Sequence, residues 1–329
     1  MRSSGTAADA GAAASGPPRE TFKSGGSPSS GDARPRIRMP MTRLPRLAVL
    51  ALLLVALLTL AGCSTGLKLA YQQLDRLALW TLGDYVNLDA QQKAAFRGEF
   101  ARLQAWHRSH ELPRYSADLR TLARAFEHAP VPREPLEAAL AQADAHALRV
   151  WEQARPGTVK LIASLRDEQV EAIGKRLREQ IRDDEAERRD ESLDDRRKRW
   201  LRQQRKGLER WTGELNPTQK QLLADGWEQA VDGLPTPAER ESQRLAEADE
   251  FIRVLAGRRE PGLGERLNSN SNDRQQTRRE RDEARDRSLL IALLQACDAP
   301  QRERLQRRLL ELAEDFDALS RASDLPPEA

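Results

Sequence analysis

The segment Leu215-Asn216-Pro217-Thr218-Gln219 shows in five residues how this chain begins its helices. Asn216 can accept a hydrogen bond from the N–H groups of a first helical turn, and Pro217 has the backbone angle that this turn needs. Gln219, at the third helical position, can reach back to the N–H of Asn216, while Leu215 can pack on the first turn. The segment therefore predicts a helix that begins at Pro217.

Three other segments share this pattern of an apolar residue, a turn-forming position and a Gln four residues after the first. They are Leu88-Asp89-Ala90-Gln91-Gln92, Leu165-Arg166-Asp167-Glu168-Gln169 and Cys297-Asp298-Ala299-Pro300-Gln301. Arg166 departs from the pattern because a guanidinium cannot accept a hydrogen bond. We expect Asp167 to cap that helix instead, one residue later.

The chain between these segments predicts an all-α fold. Apolar residues recur at steps of three and four, and no stretch alternates apolar and polar positions with β-branched residues, so we expect no sheet. Charged residues make up 32% and aromatic residues 5% of the chain, which favours narrow buried stripes. We predict an elongated bundle of amphipathic helices and long helical hairpins over residues 63–325.

Several boundaries follow from local signals. Thr236-Pro237-Ala238-Glu239 has the form of a capping box and predicts a helix that Gly257 closes. The Pro-, Gly- and Asn-rich composition of residues 258–273 predicts a mobile loop. Pro113 and Pro156 are expected to punctuate the helices, so that one helix ends near Gln153.

The very polar segment 167–211 keeps one narrow apolar seam. Its spacing fits either two long charged helices or one bent helix. The apolar positions of the seam are Val170, Ile173, Leu177, Ile181, Leu193, Trp200, Leu208 and Trp211.

The N-terminal part predicts export. Arg43 and Arg46 precede an apolar run from Leu47 to Leu60, followed by Ala61-Gly62-Cys63, which is the order of a secretory signal. The run is shorter than the roughly 18 to 20 apolar residues of a membrane-spanning helix, although an uncleaved helix with an ordinary cysteine is the alternative.

The end of this run resembles the lipobox of bacterial lipoproteins. The resemblance implies a diacylglycerol on the Cys63 thiol, cleavage after Gly62 and acylation of the freed amine. By resemblance to sorting in Gram-negative bacteria, Ser64 implies the outer membrane. Residues 39–62 are then the signal peptide and residues 1–38 a disordered leader, or sequence upstream of a true start at Met39 or Met41; residues 326–329 are expected to be a disordered tail.

The net charge changes with this processing. Residues 1–62 hold 8 of the 54 Lys and Arg and 3 of the 51 Asp and Glu, which leaves 46 basic and 48 acidic residues in the remainder. A slightly acidic mature chain lacks the concentrated basic face that a nucleic-acid partner requires, so we expect none.

Two family resemblances emerge from these motifs. The capping segments resemble the Leu-Thr-x-x-Gln motif of small periplasmic stress chaperones, which are all-helical. A wider resemblance, over Leu69 to Trp80, Asp84 to Gln92 and Trp106 to Tyr115, is to a family of Gram-negative lipoproteins of unknown function. This second resemblance implies a helical lipoprotein, and it implies no activity, cofactor or catalytic residue.

The sequence offers no recognisable catalytic constellation, so we expect a non-enzymatic protein without a cofactor. An envelope hydrolase is the remaining alternative and would need a concave polar site. His107 and His110 could share a helical face as a metal pair, but the alternative, that both are exposed near a helix end, is favoured and we predict no metal site. With Cys63 lipidated, Cys297 would be alone, either as a small buried apolar residue or in a redox role.

Trp200 and Trp211 lie in the most charged segment. They either pack in a thin core or form apolar anchors that contact client proteins between rows of charge. We predict an outer-membrane lipoprotein on the periplasmic face that binds unfolded clients or an envelope protein and contributes to envelope maintenance. The alternative is a scaffold or assembly factor for one fixed partner.

The anchor is directly testable. Cys63→Ser removes the thiol that would carry the lipid, so we expect loss of fatty-acid labelling and accumulation of uncleaved or mislocalised precursor. Metabolic labelling with a fatty-acid probe, followed by membrane fractionation, measures both effects. Unchanged labelling of the variant would contradict the prediction.

Overall fold

The computed structural model describes residues 70–268 and 273–321, and within them the chain is all-α without a strand, as predicted. Cys63, Ser64, the predicted leader, signal peptide and tail lie outside the described residues. The helices are α1 Leu74–Gly83, α2 Ala90–Trp106, a π-helical turn His107–Glu111, α3 Leu112–Ala125, α4 Arg133–Ala163, α5 Asp167–Ala186, α6 Leu193–Thr212, α7 Pro217–Val231, α8 Pro237–Ala256, α9 Leu263–Arg266, α10 Asp273–Gln295 and α11 Ala299–Arg321.

The helices pack in pairs. The most extensive contacts join α3 to α11 and α5 to α8, while α2 packs on α4, and α10 packs on both α4 and α7. Among the described helices, none is both long and apolar enough to cross a bilayer.

The segment 167–211 forms two helices, which resolves the two possibilities left open by the sequence. The break lies between Ala186 and Leu193. The helices pack on different partners, since α5 lies against α8 and α6 lies against α7 and α11. Leu193, 59% exposed at the first turn of α6, is not part of the buried seam that we predicted.

The seam on α5 is as the spacing predicts. Val170, Ile173, Leu177 and Ile181 are at most 8% exposed and join one core cluster with Ala248 and Leu255 of α8. Three further clusters fill the remaining helix contacts. Each cluster is small, which agrees with a charged chain whose helices bury only one stripe each.

The prediction that Pro156 ends a helix is wrong, because α4 continues through it to Ala163. A proline inside a helix removes one backbone hydrogen bond, and packing must compensate for the loss. Beside it, Gly157 lets α4 approach α2 so closely that a Cβ there would lie 3.0 Å from Glu99 Cβ. Lys160 Nζ then donates to Glu99 Oε1 at 2.9 Å, so contact with α2 holds this part of α4 in helical form.

Residues 258–268 are more ordered than the predicted mobile loop. Arg258 is 4% exposed and its Nε donates to the carbonyl oxygen of Leu165 at 2.8 Å, while Leu263 is buried at the start of α9. Gly262 adopts a φ of +76°, which favours glycine, just before this short helix. Hydrogen bonds from this buried arginine to backbone carbonyls hold the segment in place. The Gly- and Pro-rich composition does not reveal these bonds.

All four predicted capping segments begin helices, and the structure joins them in two pairs. Gln92 Nε2 donates to Gln169 Oε1 at 3.0 Å and Gln169 Nε2 donates to Gln92 Oε1 at 2.8 Å. In the second pair, Gln301 Nε2 donates to Gln219 Oε1 at 2.8 Å. All four side chains are at most 5% exposed.

Each glutamine also closes its own helix start. The Oε1 atom of each accepts a hydrogen bond from the backbone N–H of its cap residue, at 2.9 to 3.2 Å. Each of the four amides also donates to a backbone carbonyl of a distant segment, as in Gln219 Nε2 to Leu293 O at 3.0 Å. Buried amides with their hydrogen bonds made both stabilise and orient the helix starts.

The expectation that Asp167 caps α5 is wrong. Arg166 occupies the cap position with an extended backbone, and α5 begins at Asp167. The Arg166 guanidinium donates to Asp89 Oδ2 at 2.6 Å, so it bonds to the cap of the paired helix α2 instead of its own. Asp167 bonds to Arg258.

Removing one of these amides should destabilise the protein. Gln219→Ala loses the capping contact to Asn216, the bond to Leu293 O and the pairing with Gln301, and leaves buried polar groups unpaired. We expect a loss of about 2 to 3 kcal/mol in the free energy of unfolding. The measurement is urea denaturation followed by circular dichroism.

Gln221→Ala is the matched control, because Gln221 lies on the same helix, is exposed and donates through its side chain to Asp225. We expect it to change the free energy of unfolding by less than about 0.5 kcal/mol. Equal losses for the two variants would contradict a special role for the paired amides.

Candidate functional site

The two tryptophans predicted to contact clients lie in the core region. Trp200 is half-buried, packs against the cluster of Leu208, Leu215, Leu223 and Leu293, and has its ring centroid 6.0 Å from that of Trp227. Trp211, also half-buried, contacts two core clusters. This placement favours the core-packing alternative, and a client-contact role for either residue stays a prediction.

Other apolar side chains reach the surface. In the part of the chain that the structure describes, seven large ones are at least 36% exposed, and they are Leu77, Trp80, Leu148, Leu193, Phe251, Leu290 and Leu310. Sequence periodicity could not separate them from buried positions, because their exposure depends on which neighbouring helix covers each face.

Two of these leucines flank an ion pair between α4 and α10. Arg287 Nη2 lies 2.8 Å from Asp144 Oδ2. Leu148 follows Asp144 by four residues and Leu290 follows Arg287 by three, so each leucine shares a helix face with its charged neighbour. Leu148 is 57% and Leu290 37% exposed. We call Asp144, Leu148, Arg287 and Leu290 the α4–α10 surface.

The two helices are held antiparallel at this surface. Gln295 Nε2, at the end of α10, donates to Val131 O, two residues before α4, at 3.1 Å. This bond fixes the register that brings Asp144 beside Arg287. Trp151 Nε1 of α4 donates to Asn268 Oδ1, in the segment between α9 and α10, at 2.7 Å. The resulting surface combines apolar side chains and both signs of charge.

A buried polar cluster lies at the π-helical turn. Glu111 is 0% exposed, and Arg114 Nη1 and Arg149 Nε donate to its Oε1 at 2.8 and 2.9 Å. His146 places Nδ1 at 2.9 Å from Glu111 Oε2 and Nε2 at 2.7 Å from Asp118 Oδ2. The cluster ties the π turn to α4.

The backbone of the turn explains how Glu111 becomes buried. The N–H of Leu112 bonds to His107 O, five residues back, which widens the turn. Pro113 lies in the first turn of α3, directly after the π turn. It has no N–H with which to make an α-helical hydrogen bond. Pro113 therefore does not separate the helices as predicted, and the chain remains helical from Ala90 to Ala125.

Burial and charge act in opposite directions on Glu111. Burial raises the pKa of this carboxyl, but the hydrogen bonds from Arg149 and His146 outweigh it and hold the pKa below the ordinary value. Glu111 is thus an ionised structural group with its oxygens already bonded, which is a poor arrangement for a general acid. Nothing in the local sequence pattern marks Glu111 as buried, so the sequence alone does not predict this cluster.

His107 and His110 have different surroundings and do not act as a pair. His107 Nδ1 lies 3.0 Å from Tyr71 Oη and its ring packs on Tyr71 and Tyr115, whereas His110 is exposed and stacks on Trp106. Burial lowers the pKa of His107 to about 4. Across residues 70–268 and 273–321, no group of three or more potential ligands is placed to hold a metal ion.

Cys297 is buried and free, 5% exposed, with Gln219 Nε2 3.4 Å from its Sγ. Burial raises the pKa of the thiol to about 11, which disfavours the reactive thiolate at neutral pH. The environment favours the apolar packing role over the redox alternative.

Comparison with known proteins places the chain in a family. Residues 84–285 match the model of a family of unknown function, DUF6279. This match covers more than half of the chain, so the protein belongs to that family, in agreement with the expected membership of a family of unknown function. It includes three of the four capping segments. No curated protein and no solved structure matched the chain.

The half-buried His107 should make stability depend on pH. Its pKa is about 4 in the folded state and 6.5 when exposed, so between these values the unfolded chain binds the extra proton. Above about pH 6.5 His107 is neutral in both states and does not reduce the free energy of unfolding, which falls as the pH decreases toward 4. We expect His107→Asn to make this decline shallower, as measured by urea denaturation at several pH values.

His128→Asn is the control, since His128 is exposed. It should leave the pH dependence of the unfolding free energy unchanged. The same decline in the His107 variant as in the unaltered protein would rule out His107 as its source.

Proposed function

We propose that this protein is a non-catalytic lipoprotein, anchored through Cys63 in the outer membrane and facing the periplasm, that acts by chaperone-like protein contacts in envelope maintenance. The observation that supports contact activity is the α4–α10 surface. Leu148 and Leu290 are exposed apolar side chains beside the Asp144–Arg287 ion pair. Such side chains in a charged field can bind exposed apolar segments of a client, while the charges keep the surface soluble.

The lipid anchor rests on the sequence. Cys63 follows an apolar run and two small residues, and acylation at this position would hold the helices at the membrane surface. Two or more acyl chains make such attachment persistent, since each buried CH₂ contributes about 0.8 kcal/mol.

A scaffold for one fixed partner is the second candidate function. It is favoured by the small size of the α4–α10 surface, whose register is fixed by the Gln295–Val131 hydrogen bond and the Asp144–Arg287 ion pair. A preformed small patch suits one complementary partner better than it suits many unrelated sequences.

An aggregation assay separates the two functions. The lipoprotein, purified in nonionic detergent, should delay the aggregation of several unrelated unfolded proteins, relative to detergent alone, if it is chaperone-like. We expect Leu148→Asn to reduce this delay several-fold, because it removes the most exposed apolar side chain of the α4–α10 surface. Light scattering measures the delay.

Leu193→Asn is the matched control, since Leu193 is equally exposed on another helix, at 59%. Its effect on the delay should be small. Failure to protect any substrate would contradict the chaperone-like role. The scaffold would then be supported if the protein crosslinks in cells to a single envelope protein and if Leu148→Asn abolishes this crosslink.

A further inference from the structure

Five arginines meet where α5 ends and where α6 and α8 begin. Arg240 Nε donates to Glu185 Oε2 at 2.6 Å, and Arg244 Nη1 donates to Glu185 Oε1 at 2.7 Å. Glu185 is 2% exposed, so this part of the junction lies in the protein interior. The Arg196 Nη1 and Nη2 atoms each lie 3.3 Å from Pro235 O, which brings the starts of α6 and α8 together.

Two of these arginines have no carboxylate partner. Asp184 Oδ2 accepts from Arg244 at 3.0 Å, and Glu191 Oε2 lies 2.7 Å from Arg199. The remaining two arginines, Arg188 and Arg196, have no carboxylate within ion-pair distance among the described residues. The five arginines of the junction are Arg188, Arg196, Arg199, Arg240 and Arg244.

Two buried N–H donors at this junction also lack a hydrogen-bond partner. Arg244 is 6% exposed and its Nε makes no hydrogen bond, and Arg240 Nη2 is likewise buried and unpaired. Glu191 Oε2, which faces Arg199, is the buried acceptor of the junction without a hydrogen bond. Buried charged donors normally bond to an acceptor, and the position of these two beside Arg188 and Arg196, which have no carboxylate partner, points to an anion.

The surroundings agree with this assignment. Burial, followed by the charge of Arg240, lowers the pKa of Arg196, and burial together with the neighbouring Arg188 and Arg240 lowers that of Arg199. An anion would relieve this repulsion. Arg196 and Arg240 each stand at the fourth position of a helix, and helix N-termini favour negative charge.

We propose that the junction of α5, α6 and α8 binds a phosphate group, with Arg188, Arg196 and Arg199 as its accessible ligands. These three side chains are half-buried, so they can contact a ligand that enters from solvent. Arg240 and Arg244 add positive charge on the interior side of the site. A phosphate monoester carries close to two negative charges at neutral pH and several acceptor oxygens, which suits the two arginines without a carboxylate partner. The group could belong to a lipid headgroup or to free phosphate.

The test uses the full-length protein in nonionic detergent at fixed ionic strength, because screening weakens all charge interactions. Calorimetry measures binding of inorganic phosphate. Co-sedimentation measures binding to phosphatidylcholine vesicles with and without phosphatidic acid. We expect binding in at least one arm, and we expect Arg196→Gln to weaken it about tenfold through loss of a charge-assisted bond.

Arg205→Gln is the matched control. It removes the same charge from the same helix, but Arg205 is exposed and paired with Glu209. Because Arg196 bonds only to a backbone carbonyl, its variant should fold, and circular dichroism checks this; Arg199→Gln is the second variant if it does not.

Each outcome decides the proposal. Binding of inorganic phosphate supports a soluble ligand, and binding only to phosphatidic acid vesicles supports a lipid headgroup. Binding in neither arm would overturn the phosphate site. An equal loss in Arg196→Gln and Arg205→Gln would also overturn it, since the attraction would then reflect net charge alone.

Discussion

The fold depends on buried glutamine amides that join helix starts in pairs. A helix N-terminus exposes four backbone N–H groups, and a buried start is stable only when these donors have partners. Here the glutamine at the third helical position accepts from its own cap residue and bonds to the glutamine of another helix. Because the paired residues are 77 and 82 positions apart, one local motif establishes long-range contacts.

Each of the two pairs holds a different pair of helices together in a protein whose apolar clusters are small. Gln92 and Gln169 join the starts of α2 and α5, and Gln219 and Gln301 join the starts of α7 and α11. The apolar clusters next to them are small, so the hydrogen-bonded helix starts fix the relative positions of helices that apolar contact alone would leave less defined.

Charge has two roles in this structure. Along most helices it forms exposed ion pairs of small energetic effect, such as Arg205 with Glu209. At the π turn and at the end of α5 it is buried, around Glu111 and Glu185, where each carboxylate binds more than one cationic side chain. The first cluster is structural, while beside the second two arginines lack a carboxylate partner, which is the physical basis for proposing a ligand there.

The sequence by itself determined the helical class, the four capped helix starts, the buried stripe of α5 and the membership of a family without known activity. These features depend on residues within a few positions of one another, where capping and periodicity act directly. Tertiary structure alone decided that Pro156 lies inside a helix, that Arg166 bonds to the cap of α2, that residues 258–268 are held by Arg258 and that Trp200 and Trp211 pack inward. It also assembled both arginine-bound carboxylate clusters. Each of these outcomes depends on which distant helix covers a given face, and local spacing contains no information about that choice.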